Sequence, residues 1–459
     1  MLRSYDEHKE TSIPWTNRVP KSWLIQRGKS IFQNKKQLNT QKQCDNILSL
    51  TLKGVVNNSI DNPIGLVPKD YATYQIFEKD DLVFKLIDLE NYQTSRVGLV
   101  HELGIMSPAY IRIALRKKDD FNIKYFFYQY YDLYLRRVFN QIGAGVRSTL
   151  SAKELLNIEI LIPPREEQNQ IVRFLDWKLA KINKLIQAKK KQIVLLNEQK
   201  QVIINNAVTK GLDPNVPMKD SGIEWIGQIP IHWNVIRLRG ILSPVSIKNH
   251  PKLPLLSVLR EKGVIVRDVK DKESNHNFIP DDLSGYKVVQ AGQFVMNKMK
   301  AWQGSYGISP YTGIVSPAYF VFDVNVKNKD YFHYSIRSKV YVNFFAQASN
   351  GIRVGQWDLN ISKMKDIPFI VPSEEEQTLI IDYIKRTSKD IEVAITRFSN
   401  EIKLLQEYRT RLISDVVTGK VDVRDIEIPE YEADSDETID DEIDDNLVLD
   451  EEDGEMEVE

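Results

Sequence analysis

From Glu166 to Gly211 apolar residues return every seven positions. Leu175, Ile182, Leu196 and Ile203 fall on one line, with Leu179, Ile186 and Ile193 on the line beside it. Pro163 and Pro164 precede the stretch, and no Pro or Gly interrupts it before Gly211. A period of seven predicts a helix in a coiled coil. Lys210-Gly211 reads as its C-terminal stop. At 1.5 Å per residue such a helix would run roughly 65 Å, which is too long for one wall of an ordinary core and fits a spacer.

The helix occurs twice. Glu375-Glu376-Gln377 stands 209 positions after Glu166-Glu167-Gln168. Ile384, Ile391, Phe398, Leu405 and Leu412 continue the first line, and Ile395, Ile402 and Val416 the second. One basic residue sits at the same seam position in each copy, Lys200 and Arg409. The stem of such a side chain is expected to pack while its head reaches water.

What precedes each helix repeats as well. Ile13-x-Trp15 and Val19-Pro20-x-x-Trp23 return as Ile223-x-Trp225 and Ile229-Pro230-x-x-Trp233. These read as proline-fixed turns whose tryptophans anchor the domain that follows. Residues 24–165 then read as mixed α and β. Strand-like runs are Ile47–Leu52, Leu82–Ile87, Ala109–Leu115 and Ile158–Ile162, with an aromatic helix from Tyr125 to Phe139. The second copy offers Leu255–Leu259, Gln293–Met299, Ala318–Val324 and Ile367–Val371, with a helix from Tyr331 to Phe345. Ser107-Pro108-Ala109-Tyr110 returns as Ser316-Pro317-Ala318-Tyr319. The loops between these landmarks differ almost completely, so one scaffold is expected to carry two different surfaces.

The formal net charge of −1 conceals a split. From Glu430 to Glu459 there are 17 Asp or Glu and no Lys or Arg. The rest of the chain therefore holds all 62 basic residues against 46 acidic ones. A basic body points to an anionic partner, and an acidic run of this kind favours disorder. Cys44 is the only cysteine, which excludes disulfides and thiolate metal sites. No run of about 18 apolar residues marks a membrane span, and the N-terminus lacks an apolar signal region, so a soluble cytoplasmic protein is expected.

The order Ile-Pro-x-x-Trp, variable α/β domain with Ser-Pro-Ala-Tyr, Gly-x-Arg, Glu-Glu-Gln and long helix, twice over, resembles the specificity subunit of type I restriction-modification enzymes. The resemblance covers residues 13 to about 424. It implies that each variable domain is a target-recognition domain for half of a split DNA sequence. It also implies that the helices act as ruler and as dock for methyltransferase subunits, and that the subunit alone is not catalytic. Three features depart from the pattern, one being the helix ends, Thr209-Lys210-Gly211 in the first and Thr418-Gly419-Lys420 in the second. Gly145-Val146-Arg147 lacks the Gly355-Gln356-Trp357 that follows Gly351-Ile352-Arg353, and the acidic tail is foreign to it.

The residues agree with a binding protein. There is no Gly-x-x-x-x-Gly-Lys-Ser/Thr loop, and Leu161-Ile162-Pro163-Pro164 lacks the polar residue of an adenine methyltransferase motif. Pro280-Asp281 has no acidic-x-Lys to complete a nuclease site, and the six His have no metal spacing. No catalytic residue, metal or cofactor is therefore expected. For DNA contact, the stretch from Asn297 to Gly307 mixes cations, amides and aromatics, with Lys298, Lys300, Trp302, Gln303 and Tyr306 as candidates. Gln303 could bond an adenine edge, and lysines could hold phosphates. Arg96 and His101 occupy the corresponding part of the first domain. Arg147 and Arg353 on matching turns suit phosphate clamping, and Gln356 and Trp357 follow the second of them.

The expected fold class is α+β: two similar mixed α/β target-recognition domains, 1–164 and 213–372, separated by an antiparallel coiled coil of the repeated helices 165–212 and 373–424. Such a molecule would be pseudo-two-fold, as DNA is. Residues 425–459 form the acidic tail, expected to be disordered. The expected partners are double-stranded DNA, methyltransferase subunits and restriction-translocase subunits, with no membrane. Two other classes remain open on the residues alone: a free-standing DNA-binding regulator, and a coiled-coil adaptor that binds only proteins.

Overall fold

The computed structural model describes residues 3–59, 68, 70–87, 89, 96–142, 149–260, 262–269, 279–353 and 356–430. The described chain divides into two compact units. One holds the chain up to Lys190 and again from Ser399, and the other holds Lys191–Phe398. No described helix is long and apolar enough to cross a membrane. The acidic tail beyond Glu430 lies outside the described residues.

In the first unit, His8–Glu10 pairs antiparallel with Arg18–Pro20. Leu24–Arg27 then pairs with Glu159–Ile162, the strand just before the long helix. Between them stand two four-stranded sheets. One is ordered Phe32–Asn34, Ile111–Leu115, Leu82–Lys85, Arg96–Leu99, all antiparallel. The other is ordered Gly54–Asn58, Ile47–Thr51, Gly104–Met106, Gln75–Phe77, with one parallel contact at Ile105 and Ile47. The helix Ile123–Leu135 packs Tyr125, Phe126, Tyr128 and Tyr130 into this core at 2% exposure or less. It stops short of the expected Phe139. Arg137 adopts φ +56°, a left-handed value that no helix continues through, and a separate short helix runs Val138–Ile142. The expected helix Tyr331–Phe345 is likewise two, Lys329–Ile336 and Lys339–Ala348.

The second unit uses the same plan. Met218–Asp220 pairs with Gln228–Pro230, and Asn234–Arg237 with Pro368–Val371. Its four-stranded sheet is ordered Leu242–Val245, Tyr319–Val324, Phe294–Asn297, Tyr306–Ile308, the same threading as in the first unit. The other described strands form three separate pairs, Leu256–Leu259 with Gly263–Val266, Lys287–Val289 with Gly313–Val315, and Ser349–Arg353 with Gln356–Leu359. A single parallel bridge, Leu255 to Ile314, stands where the first unit joins its second sheet.

The repeat extends to hydrogen bonds. The Trp23 indole donates to Glu167 Oε1 at 2.7 Å, and the Trp233 indole to Glu376 Oε1 at 3.2 Å. Gln168 donates to the Pro163 carbonyl, and Gln377 to that of Pro372. Tyr125 reaches the carbonyls of Leu161 and Val417, as Tyr331 reaches those of Ile370 and Val208. Both tryptophans are fully buried, so anchoring is what they do. Each long helix ends on a glycine in the left-handed region, Gly211 at φ +75° against Trp233 and Gly419 at φ +73° against Trp23 and Pro20. A Cβ at Gly419 would lie 2.2 Å from Pro20 Cδ, so only glycine fits there.

The long helices run Arg165–Lys210 and Glu374–Val417. In the first unit they pack antiparallel: Asn183 meets Arg409, and Lys189 meets Glu401. Leu175, Leu179, Ile182, Ile186, Ile402, Leu412 and Val416 are buried there, and Leu405 is half-buried. In the second unit Ile193, Ile384 and Ile391 are buried, while Leu196, Ile203, Ile395 and Phe398 are half-buried. The period of seven thus marks the packed face. One of the two seam bases departs from expectation. Arg409 does not reach water; it is 4% exposed and donates to Asn183 Oδ1 at 3.2 Å. Lys200 binds Glu392 Oε1 at 2.6 Å. Asn183 and Glu392 are themselves 209 positions apart, so the repeat places a polar acceptor opposite each base.

Candidate nucleic-acid interface

In the second unit the strand Phe294–Asn297 leads into a 3-10 turn, Ala301–Gln303, which Gly304 closes at φ +100°. The turn is joined to the hairpin Ser349–Arg353 with Gln356–Leu359. Leu359 donates its backbone N–H to the Lys298 carbonyl at 3.3 Å. Lys298 Nζ pairs with Asp358 Oδ2 at 2.8 Å. Trp302 stacks on Trp357, with ring centroids 5.4 Å apart and planes at 25°. Asn297 holds the bend, its Oδ1 accepting from Met299 N at 3.0 Å and its Nδ2 donating to Tyr319 Oη at 3.2 Å. Lys298, Lys300, Trp302, Gln303 and Trp357 are all half-buried and line one surface feature. The Trp302 indole N–H and Asp358 Oδ1 are enclosed without a partner among the described residues.

Tyr306 departs from the expectation. It is fully buried, its ring 4.3 Å from that of Phe345, and burial holds its hydroxyl far above the usual phenol range. It belongs to the core under the loop. Sequence reading also missed Lys287. Its ammonium donates to the Tyr319 carbonyl at 2.6 Å and lies 5.6 Å from the Phe320 ring. Its pKa is lowered, first by burial and then by the positive charges of Lys248 and Lys298. Lys287 thus adds a cation beside Lys298 at the base of the loop.

In the first unit Arg96 begins the strand Arg96–Leu99 opposite Lys85; its side chain lies outside what is described. His101 follows that strand and is exposed. Its Nε2 lies 2.9 Å from Asn57 Oδ1 and 3.4 Å from Glu102 Oε1. Asn57 donates to Glu102 at 2.5 Å, and this bond first, then one from Asn46, holds the Glu102 carboxyl below its usual range. The surface thus pairs an amide with a carboxylate, where the second unit offers cations and stacked indoles. Asn57 and Glu102 were missed because their alignment depends on the pairing of distant strands. Arg147 lies outside the described residues. Arg353 and Gln356 face each other across the hairpin, and their side chains are likewise not described. The structure therefore brings together Lys298, Lys300, Trp302, Gln303 and Trp357. Among the described residues no group of His, Cys, Asp and Glu is arranged to hold a metal.

The buried centres of the two units differ too. In the first, Arg112 is 1% exposed and binds Asp81 Oδ2 at 2.5 Å and the Ile76 carbonyl at 2.6 Å. The position 209 residues later is Val321, inside an apolar cluster.

Residues 25–195 match the family model of the type I restriction modification DNA specificity domain. The chain is similar to the type I restriction enzyme MjaVIII specificity subunit of Methanocaldococcus jannaschii, at 24% identity over 70% of this chain and 76% of that one. It is also similar to the putative type I restriction enzyme MjaX specificity subunit of the same organism, at 24% identity over 92% of this chain and 99% of that one. Among solved structures, one described as the basis of complex assembly and conformational transition of the type I R-M system matches with a TM-score of 0.61. It covers 88% of this chain and 100% of the other at 12% identity, a likeness of fold.

Proposed function

We propose that this chain, a specificity subunit of a type I restriction-modification system, reads a bipartite DNA sequence with one half-site for each recognition domain. Residues 1–164 and 213–372 are the two readers, 165–212 and 373–424 the helices that carry them in a pseudo-two-fold arrangement, and 425–459 an acidic extension. The single observation that supports this best is one scaffold with two surfaces. Trp23–Glu167 and Trp233–Glu376 repeat bond for bond, while the Asn57–His101–Glu102 group has no counterpart in the Lys298–Trp302–Trp357 group. A repeated frame with unlike polar loops is what reading two different half-sites requires, because direct readout is a matter of which donors and acceptors face the base edges.

On this reading Gln303 and the stacked indoles meet bases, and Lys298, Lys300 and Lys287 meet phosphates. Arg96, His101 and Arg147 serve the other half-site, and Arg353 with Gln356 belongs to the second reader. The chemistry is done elsewhere, since a specificity subunit is not catalytic by itself. The helices recruit methyltransferase subunits, and restriction-translocase subunits join that complex. Leu195 and Leu404 occupy equivalent positions and are 54% and 63% exposed, an apolar point presented twice and suited to two copies of one partner.

The test is to exchange residues 24–162 for those of a relative and to map methylated adenines in the host by single-molecule sequencing. Only one half of the methylated sequence should change. A change in both halves overturns the independence of the readers, and an unchanged methylome on deletion of the gene overturns the function.

A further inference from the structure

We propose that one face of the first long helix, formed by Arg173, Trp177, Lys178, Lys181, Lys184 and Leu185, is the docking surface for the chain's own acidic terminus, residues 431–459. This does not depend on how DNA is read. Three observations converge on the face, all within the first unit.

The face is basic, aromatic and open. Arg173, Lys181 and Lys184 are exposed, and none of them forms an ion pair among the described residues. Lys178 and Lys181 place their ammonium groups 4.3 and 4.6 Å from the centre of the Trp177 ring. Arg173, Trp177, Lys181 and Leu185 follow one another at four-residue spacing, hence along one stripe of the helix. Leu185, a large apolar side chain, is 46% exposed at its end.

The described chain leads onto it. After the second long helix the backbone crosses the start of the first. Gln170 Nε2 donates to the carbonyls of Val423 at 3.0 Å and of Ile426 at 2.8 Å. Ile428 and Pro429 then line a groove with Arg173. The last described residues thus lie beside Gln170 and Arg173, and Trp177 stands four residues, about one turn, further along the helix. From Arg173 to Lys184 is roughly 16 Å along the axis, a distance that about five extended residues cover.

The remaining sequence is complementary. Residues 430–459 carry 17 carboxylates and no base. Ile439, Ile443 and Leu447 recur among them at four-residue spacing, an apolar line bounded by acids. Carboxylates answer the lysines, and the apolar line answers Trp177 and Leu185. An internal polyanion on this face would exclude other polyanions from it.

The test uses the full chain. Carbodiimide joins lysine amines directly to carboxylates, so mass spectrometry of the cross-linked protein identifies which lysines the tail touches. Cross-links from residues 431–459 should concentrate on Lys178, Lys181 and Lys184, and should fall as salt is raised. A mixture of isotopically light and heavy protein should yield them within one chain. Arg173→Glu combined with Trp177→Ala leaves all three lysines in place and should lower their cross-link yield about fivefold. Arg173→Glu alone, at an exposed position that folding tolerates, should lower it in the same direction. Cross-links spread over lysines in proportion to exposure, concentrated instead on Lys298 and Lys300, or formed only between chains would each overturn the proposal.

Discussion

Glu167 should be a far more sensitive carboxylate than its twin Glu376. Glu167 is 6% exposed and accepts from two buried donors, the Tyr5 hydroxyl at 2.5 Å and the Trp23 indole at 2.7 Å. Replacing it with Ala strands both donors where water cannot reach them. A buried donor left unsatisfied costs about 1–3 kcal/mol, so Glu167→Ala should cost roughly 3–5 kcal/mol once the lost packing is included. Glu376 receives the equivalent indole bond at 3.2 Å, but its side chain is 32% exposed, and its other partners, His232 at 45% exposure and the exposed Ser373, also meet water. Water replaces much of what is lost there, so Glu376→Ala should cost about 1 kcal/mol. Urea unfolding followed by tryptophan fluorescence separates the two. With a slope of about 2 kcal/mol per molar urea, Glu167→Ala should lower the first unit's midpoint by roughly 2 M, and Glu376→Ala the second unit's by about 0.5 M. Tyr5→Phe removes one donor together with its need for a partner and should cost far less than Glu167→Ala. Equal midpoint shifts for the two glutamates, or a Tyr5→Phe cost matching that of Glu167→Ala, would refute the argument from stranded donors.

Other expectations follow from the same geometry. Trp302→Ala and Trp357→Ala should each weaken specific DNA binding by about 1–3 kcal/mol, the scale of base–aromatic stacking, and relax one half-site only; gel-shift titration on half-site variants checks this, and equal loss on non-specific DNA would count against it. Inserting four residues after Ala188, about 6 Å of helix, should widen the unread gap by one or two base pairs with both half-sites retained; full activity with the old gap in the methylome would end the ruler idea. Burial first, and then Arg337, push the His333 pKa from 6.5 down to about 4. The unfolded chain therefore binds a proton that the folded one refuses, and stability should fall by roughly 2–4 kcal/mol as pH drops from about 6.5 towards 4. His333→Asn should flatten that slope in urea midpoints taken across the range.

What could be read from the residues follows the range of the forces involved. The seam was legible because helical packing repeats locally: Leu175, Ile182, Ile384 and Leu412 are buried where a period of seven puts them. The anchoring tryptophans were legible because the same spacing stands in front of both domains. Arg409 was misjudged because its burial depends on Asn183, 226 positions away, and nothing local signals that bond. Tyr306 sits in a run of plausible DNA-facing residues, yet strand alternation turns it inward beside Phe345. The Trp302–Trp357 stack joins a turn to a hairpin, and the Asn57–Glu102 bond joins a strand to a turn 45 positions later. Contacts of that kind exist only after the sheet has formed. They decide what a binding surface displays, which is why the frame could be read and its chemistry could not.

The first unit closes with both ends of the chain. Arg3 bridges to Asp422, Gly419 packs on Trp23, and Tyr125 reaches the Val417 carbonyl across 292 positions. Among the described residues the second unit is continuous, from Lys191 to Phe398. Synthesis on a ribosome therefore reverses the order one would read along the gene. The domain made first waits, without its second helix and its cap on Trp23, until almost the whole chain has been translated, while the domain made second can finish as it emerges. A message cut short between Phe398 and Val417 leaves the first unit without the end of its second helix and its cap on Trp23, while the second unit is already whole.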